Sequence, residues 1–148
     1  MDFVNQKISS SPNWQKYWDP SPTNQSMAMK YLLKTEEALL FFLALYLLQD
    51  LPYPGWYYGA LFLLPDLSML GYLVNTKTGA HLYNIFHHKG IALGVYGLGL
   101  VFNQPSLQFT GLLLFGHSAF DRIFGYGLKF SDHFKNTHLG WIGKQALD

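Results

Sequence analysis

His117 and Asp121 stand four residues apart inside a long apolar run. That spacing puts an imidazole and a carboxylate on one face of a helix, where together they can chelate one hard or borderline cation. Asn84 lies three residues before His87 and four before His88, so it shares a face with each of them. Asp66 occupies a third apolar run. An ionisable side chain within a membrane span costs about 2.5–3.5 kcal/mol on insertion scales and marks function by default. Imidazole with carboxylate suits zinc, iron or manganese. The chain has no cysteine, which removes thiolate zinc sites, iron–sulfur clusters and thioether-linked haem. A metal with an open coordination position acidifies its bound water and makes a nucleophile. The expected ligands to a divalent metal, zinc or manganese, are therefore Asp66, His87, His88, His117 and Asp121, with Asp66, His117 and Asp121 as catalytic groups. Arg122 and Lys89 could hold a phosphate or another anion, and Asn84, Arg122 and His138 are the expected substrate-binding residues. The competing reading makes His117 and Asp121 a hydrogen-bonded pair that only joins helices.

The elements that must carry these groups are read from hydropathy. The chain has 148 residues, enough for one domain, and is 49% hydrophobic, 18% aromatic and 13% charged. Average soluble domains are about 25% charged. Between residues 38 and 128 the charged side chains are Asp50, Asp66, Lys77, Lys89, Asp121 and Arg122. The pattern predicts an all-α fold, a four-helix transmembrane bundle with helices over 31–49, 56–74, 80–102 and 106–128. Short turns make neighbouring helices antiparallel. A polar arm, 1–30, precedes the membrane domain, 31–128, and a cytosolic tail, 129–148, follows it. Trp14, Tyr17 and Trp18 could anchor the arm at lipid headgroups. Gly90, Gly94, Gly97 and Gly99 suggest close helix approach in lipid.

All ten Lys and Arg residues fall on or near one side of such a bundle. The positive-inside rule makes that side the cytosol, which places both termini there and the protein in the inner membrane. On these helices Asp66 lies about 12 Å from the cytosolic end, and His87, His88 and His117 lie at similar depth. The arm lacks the basic start and apolar run of a signal peptide. A net charge of +1 gives no reason to invoke nucleic acid. The expected partners are the lipid bilayer, a lipid-like substrate or other subunits of a membrane complex.

Four motifs carry a resemblance. They are Leu-Leu-Pro-Asp-Leu-Ser-Met-Leu-Gly-Tyr (63–72), Tyr-Asn-Ile-Phe-His (83–87), His-Ser-Ala-Phe-Asp-Arg-Ile-Phe-Gly-Tyr-Gly-Leu-Lys (117–129) and Phe-Lys-Asn-Thr-His-Leu-Gly (134–140). In this order they resemble an uncharacterised bacterial family of small four-helix membrane proteins over residues 31–143. That resemblance implies a fold and no activity. Pro65-Asp66, the histidines of the next segment and His117-x-x-x-Asp121 are also similar to the membrane-bound metal-dependent hydrolases regulated by the SOS repressor. Those proteins usually show Pro-Asp-x-Asp, where this chain has Ser68, and His-Arg-Gly followed by Thr-His-Ser, where it has only His88-Lys89-Gly90. The likeness implies Asp66, His87 or His88, His117 and Asp121 as ligands. The expected function is a membrane-embedded, metal-dependent hydrolase acting on an ester or phosphoester of a lipid-like substrate. The alternative is a non-enzymatic subunit or scaffold of a membrane complex, with His87 or His88 and His117 available to a cofactor such as haem.

Overall fold

The computed structural model describes residues 24–143. Two compact units divide the chain, Met1–Tyr31 and Leu32–Asp148. The first contributes only the opening turns of a helix to the described residues; the interactions below belong to the second. Most of the arm expected over 1–30, with its three aromatic anchors, lies outside the described residues, as does the end of the tail.

The fold is mostly helical. Helix α1 spans Asn24–Leu48 and so begins seven residues before the predicted start. Pro52 and Pro54 separate it from α2, Gly55–Leu61, whose N-cap Pro54 has extended backbone. The predicted second helix then breaks. Pro65 lacks an amide proton, and its ring would strike the carbonyl of Leu61 in a continuous α-helix. The chain instead tightens into a 3-10 helix, η1, over Leu64–Leu73. Ten residues of 3-10 geometry is long, since runs beyond three or four are uncommon and often mark functional positions.

Helix α3 spans Thr76–His87, and the Asn75 side chain accepts the Thr78 amide at its start. The stretch 75–79, read as a turn, is thus a capped helix start. The predicted third helix also breaks, at His88. This residue leaves helical geometry (φ −87°, ψ 108°), and its Nδ1 accepts the Ile91 amide as the N-cap of α4, Lys89–Val101. A tight turn follows, with Asn103 at φ 50°, in the left-handed region that asparagine tolerates. Helix α5, Pro105–Phe124, has proline in its first turn and ends at Gly125 (φ 89°), short of the predicted 128.

Helix α5 is the centre of the unit. Gly111 to Ala119 are all buried along it, which demands apolar packing on every side. Ala44, Ala92, Leu114 and Phe115 form one core cluster, and Leu48, Phe109, Leu112 and Leu113 form another. Burying a leucine such as Leu112 contributes about 1.5–3 kcal/mol. Helices α4 and α5 run with backbones in contact. A Cβ on Gly99 would lie 2.5 Å from the Gln108 nitrogen, and one on Gly111 would lie 2.4 Å from the Tyr96 nitrogen. The expected glycine stripe is corrected here: Gly94 and Gly97 face open space, and Gly111 of α5 is the second half of the contact.

The expected four membrane-crossing helices are corrected as well. No helix among the described residues is long and apolar enough to cross a membrane. Lys30, Lys34, Glu36 and Glu37 interrupt α1. Pro65 and His88 divide the next two runs, leaving α4 with 13 residues, roughly 20 Å of helix against the ~30 Å of a bilayer core. Many large apolar side chains nevertheless face outward, among them Leu39, Phe42 and Tyr46 on α1 and Leu98, Leu100 and Val101 on α4.

The carboxyl-terminal segment is folded rather than a plain tail. Strands β1, Asn136–Thr137, and β2, Gly140–Trp141, pair antiparallel, and Lys129 bridges to Thr137. The fold therefore carries a small ribbon beside its helices. The Asn84 side chain holds this segment against α3: its amide NH2 donates to the Lys129 carbonyl at 2.9 Å, and its oxygen accepts the Lys129 amide at 2.7 Å.

Candidate metal centre

Three elements deliver four ligand groups to one point. Asp66 comes from the first turn of η1, His87 from the last turn of α3, and His117 with Asp121 from one face of α5. His117 Nε2 lies 3.1 Å from His87 Nε2. Asp66 Oδ1 is 3.5 Å from His87 Nε2 and 3.4 Å from His117 Nε2. Asp121 Oδ2 is 3.6 Å from His87 Nε2, and its Oδ1 is 3.9 Å from His117 Nε2. One donor atom from each of the four residues lies within 4.8 Å of all the others. Ligands about 2.0–2.1 Å from a tetrahedral zinc stand about 3.3 Å from one another, so the spacing suits a single ion.

The surroundings prepare these donors. His87 Nδ1 is 2.9 Å from the Tyr83 carbonyl. A carbonyl only accepts, so Nδ1 carries the proton and Nε2 turns a lone pair to the cluster. That outer hydrogen bond is the usual support of a ligating histidine. The Tyr83 ring stacks on His87 with centroids 3.7 Å apart, and its hydroxyl donates to Asp121 Oδ2 at 2.8 Å. His117 sits against the Phe62 ring, 5.1 Å between centroids. The two imidazoles are 3% and 1% exposed, while Asp66 keeps 30% of its side-chain surface open. Among the described residues the buried His117 Nδ1 has no hydrogen-bond partner, a loss that costs about 1–3 kcal/mol.

The structure brings together Asp66, His87, His117 and Asp121, and it corrects the remaining assignments. His88 is exposed and caps α4, so of the two adjacent histidines only His87 reaches the cluster. Asn84 clamps the Lys129 backbone and is not among the four clustered groups. The Arg122 Nη1 lies 3.9 Å from Glu37 Oε1, and Lys89 donates to the same carboxyl group. The anion these two cations hold is therefore Glu37 of α1. His138 accepts the Leu128 amide through Nδ1, away from the four ligands, and burial pushes its imidazole below the usual histidine range, with Arg122 adding to the effect.

Two residues were missed by sequence reasoning. Tyr83 precedes His87 by four positions, so the shared helix face was an available signal. Lys129 stands in the stretch read as tail, and the Asn84 clamp and the bridge to Thr137 hold it in place.

A cavity of about 390 Å³ lies beside the ligands, lined by Asp66, Tyr83, Asp121, Tyr126, Lys129 and Phe134 among others. Two carboxylates and two imidazoles with an adjoining cavity can hold a divalent cation and present it to a small ligand. A family model described as a domain of unknown function, DUF4260, matches residues 30–142, and the chain belongs to that family. No curated protein matches the chain, and no solved structure does.

Proposed function

We propose that this protein is a metal-dependent hydrolase seated in a membrane, acting on an ester or phosphoester of a lipid-like substrate. The observation that carries the reading is the convergence of the two Nε2 atoms and two carboxylates, with donor atoms all within 4.8 Å of one another and each imidazole 3.1–3.9 Å from the other and from both carboxylates. His87, His117, Asp66 and Asp121 would hold the ion, zinc or manganese. When bound, it would supply Lewis acidity and an acidified water.

The chain's own groups do the rest. Tyr83 holds Asp121 in place through its hydroxyl, and the Tyr83 carbonyl fixes the His87 ring. Asp66 is the more exposed carboxylate and borders the cavity; its second oxygen takes the proton of the attacking water. The water oxygen bonds to phosphorus or to the acyl carbon, the ester bond breaks, and the proton leaves with the alcohol.

The outward apolar side chains support a membrane setting, since water-soluble monomers rarely expose large apolar patches. The helix break at Pro65 is buried, the condition under which an interrupted helix is compatible with lipid. In this reading both termini face the cytosol and the protein lies in the inner membrane. The rival haem-binding subunit fits less well. An iron between two imidazoles needs roughly 4 Å from nitrogen to nitrogen, and here the gap is 3.1 Å with two carboxylates at the same point.

Elemental analysis of detergent-purified protein, combined with ester hydrolysis before and after chelation, tests the reading. One zinc or manganese per chain, with metal-restored hydrolysis that Asp66→Asn abolishes, is the expected result. Protein that takes up no divalent metal on titration overturns it.

A further inference from the structure

Lys129 is only 5% exposed, yet among the described residues no ion pair engages its ammonium. Its Nζ stands over two rings, 4.2 Å from the Phe134 centroid and 5.1 Å from that of Tyr83. The same side chain lines the 390 Å³ cavity, together with the ligands Asp66 and Asp121. Its backbone is fixed on both sides of the peptide by Asn84 and bridged to Thr137, so the ammonium is presented from a held position.

A buried lysine without a counter-ion is costly. Burial pushes the Lys129 ammonium below the usual lysine range, with Asp121 and Asp66 opposing that shift from a distance. Two cation–π contacts offset part of the cost. The charge count completes the argument. Asp66 and Asp121 cancel a divalent ion, which leaves the cavity with the single positive charge of Lys129. A cavity so charged accepts an anion, and its remaining walls are aromatic or aliphatic: Tyr83, Tyr126 and Phe134 with Met69 and Ile142.

We infer that Lys129 is the anion-binding residue of this site and that the substrate carries a phosphoryl group, which the Lys129 ammonium would hold beside the four residues that could bind the metal. The inference rests on the metal-site reading above and adds the substrate class. A phosphoryl group could come from a lipid headgroup or from a soluble phosphate ester; the chemistry at Lys129 is the same.

Metal-loaded protein is titrated calorimetrically with inorganic phosphate and, separately, with short-chain phosphatidic acid. Lys129→Met is titrated alongside, and metal uptake is measured for both proteins. The expected result is binding to wild type that weakens about tenfold or more in Lys129→Met, with metal uptake unchanged. Tighter binding of phosphatidic acid than of phosphate points to a lipid headgroup, and equal binding points to a soluble ester; both support the inference. Acylation of Lys129 in the wild-type protein, read by mass spectrometry, gives a measurement that does not depend on the variant's folding. Phosphate should protect Lys129 only when metal is present. If metal binds but phosphate neither binds nor protects, or if Lys129→Met binds phosphate as well as wild type, the inference alone is overturned. So it is if Lys129→Met gains metal affinity while its phosphate binding is unchanged, for then the lysine is a competing counter-ion. Absence of metal uptake by wild type overturns the proposed function and this inference with it.

Discussion

Two charged clusters lie close together in the sequence and behave in opposite ways. Glu37, Lys89 and Arg122 tie α1 to α4 and α5, and the acid meets its cations directly. Asp66, His87, His117 and Asp121 tie η1 to α3 and α5, and their donor atoms all face one another. Lys89 is two residues from His87, and Arg122 adjoins Asp121, so neighbouring positions serve both. In the first cluster the chain itself supplies an anion, Glu37, that both cations share. The second gathers two carboxylates and two imidazole nitrogens, a donor set that could hold a cation from outside the chain. Proximity of charged groups is therefore a poor guide to a site; the informative feature is whether the charges close on themselves.

Substitutions can break that contrast, and the largest effect is expected at the ligands. His117→Ala should lower zinc or manganese affinity by more than about a hundredfold, because even outer-shell partners are worth about 10–100-fold. Equilibrium dialysis reads it. Unchanged affinity would reduce the four residues to packing. Tyr83→Phe removes the hydroxyl that donates to Asp121 and should cost about tenfold or more in metal affinity, with the helical circular dichroism retained. Lowering pH should also weaken metal binding, since both imidazoles must be neutral to ligate. A metal affinity that is the same at every pH at which the protein stays folded would exclude the imidazoles as ligands.

In the Glu37 cluster the effect should appear in stability instead. Glu37→Gln leaves Lys89 and Arg122 without their anion and should cost about 1–3 kcal/mol, seen as a lower unfolding midpoint with metal affinity unaltered. The smallest effect is expected at His88. His88→Ala removes the α4 cap, about 0.5–2 kcal/mol, and leaves the metal in place, whereas His87→Ala should remove the metal.

Asp66, His117 and Asp121 were legible in the sequence because an ionisable group in an apolar run has few other reasons to be there, and because four-residue spacing fixes a shared face. His87 and His88 could not be separated in that way. Both lie at the same depth, and only the break in the helix decides which one turns inward. Pro65 announced the division of the second apolar run, but the hydropathy of that run outweighed it. The break at His88 has no proline or similar local signal; it rests on an imidazole capping the next helix. The tail was read from composition alone, which cannot reveal that Asn84 reaches 45 residues ahead to hold Lys129.

The Asn84 clamp has a consequence for how the site opens and closes in time. The α4–α5 pair is joined by a short turn, and such contacts cost little chain entropy to form. The clamp closes a far longer loop and rests on one side-chain amide rather than on a helical ladder. In hydrogen exchange, the Lys129 amide should therefore open at a lower free energy than amides in the middle of α5, such as that of Leu114. The clustered groups of η1, α3 and α5 would stay assembled while the wall bearing the ammonium swings free, so that, if the proposed site holds both, ion and anion would be captured on separate clocks.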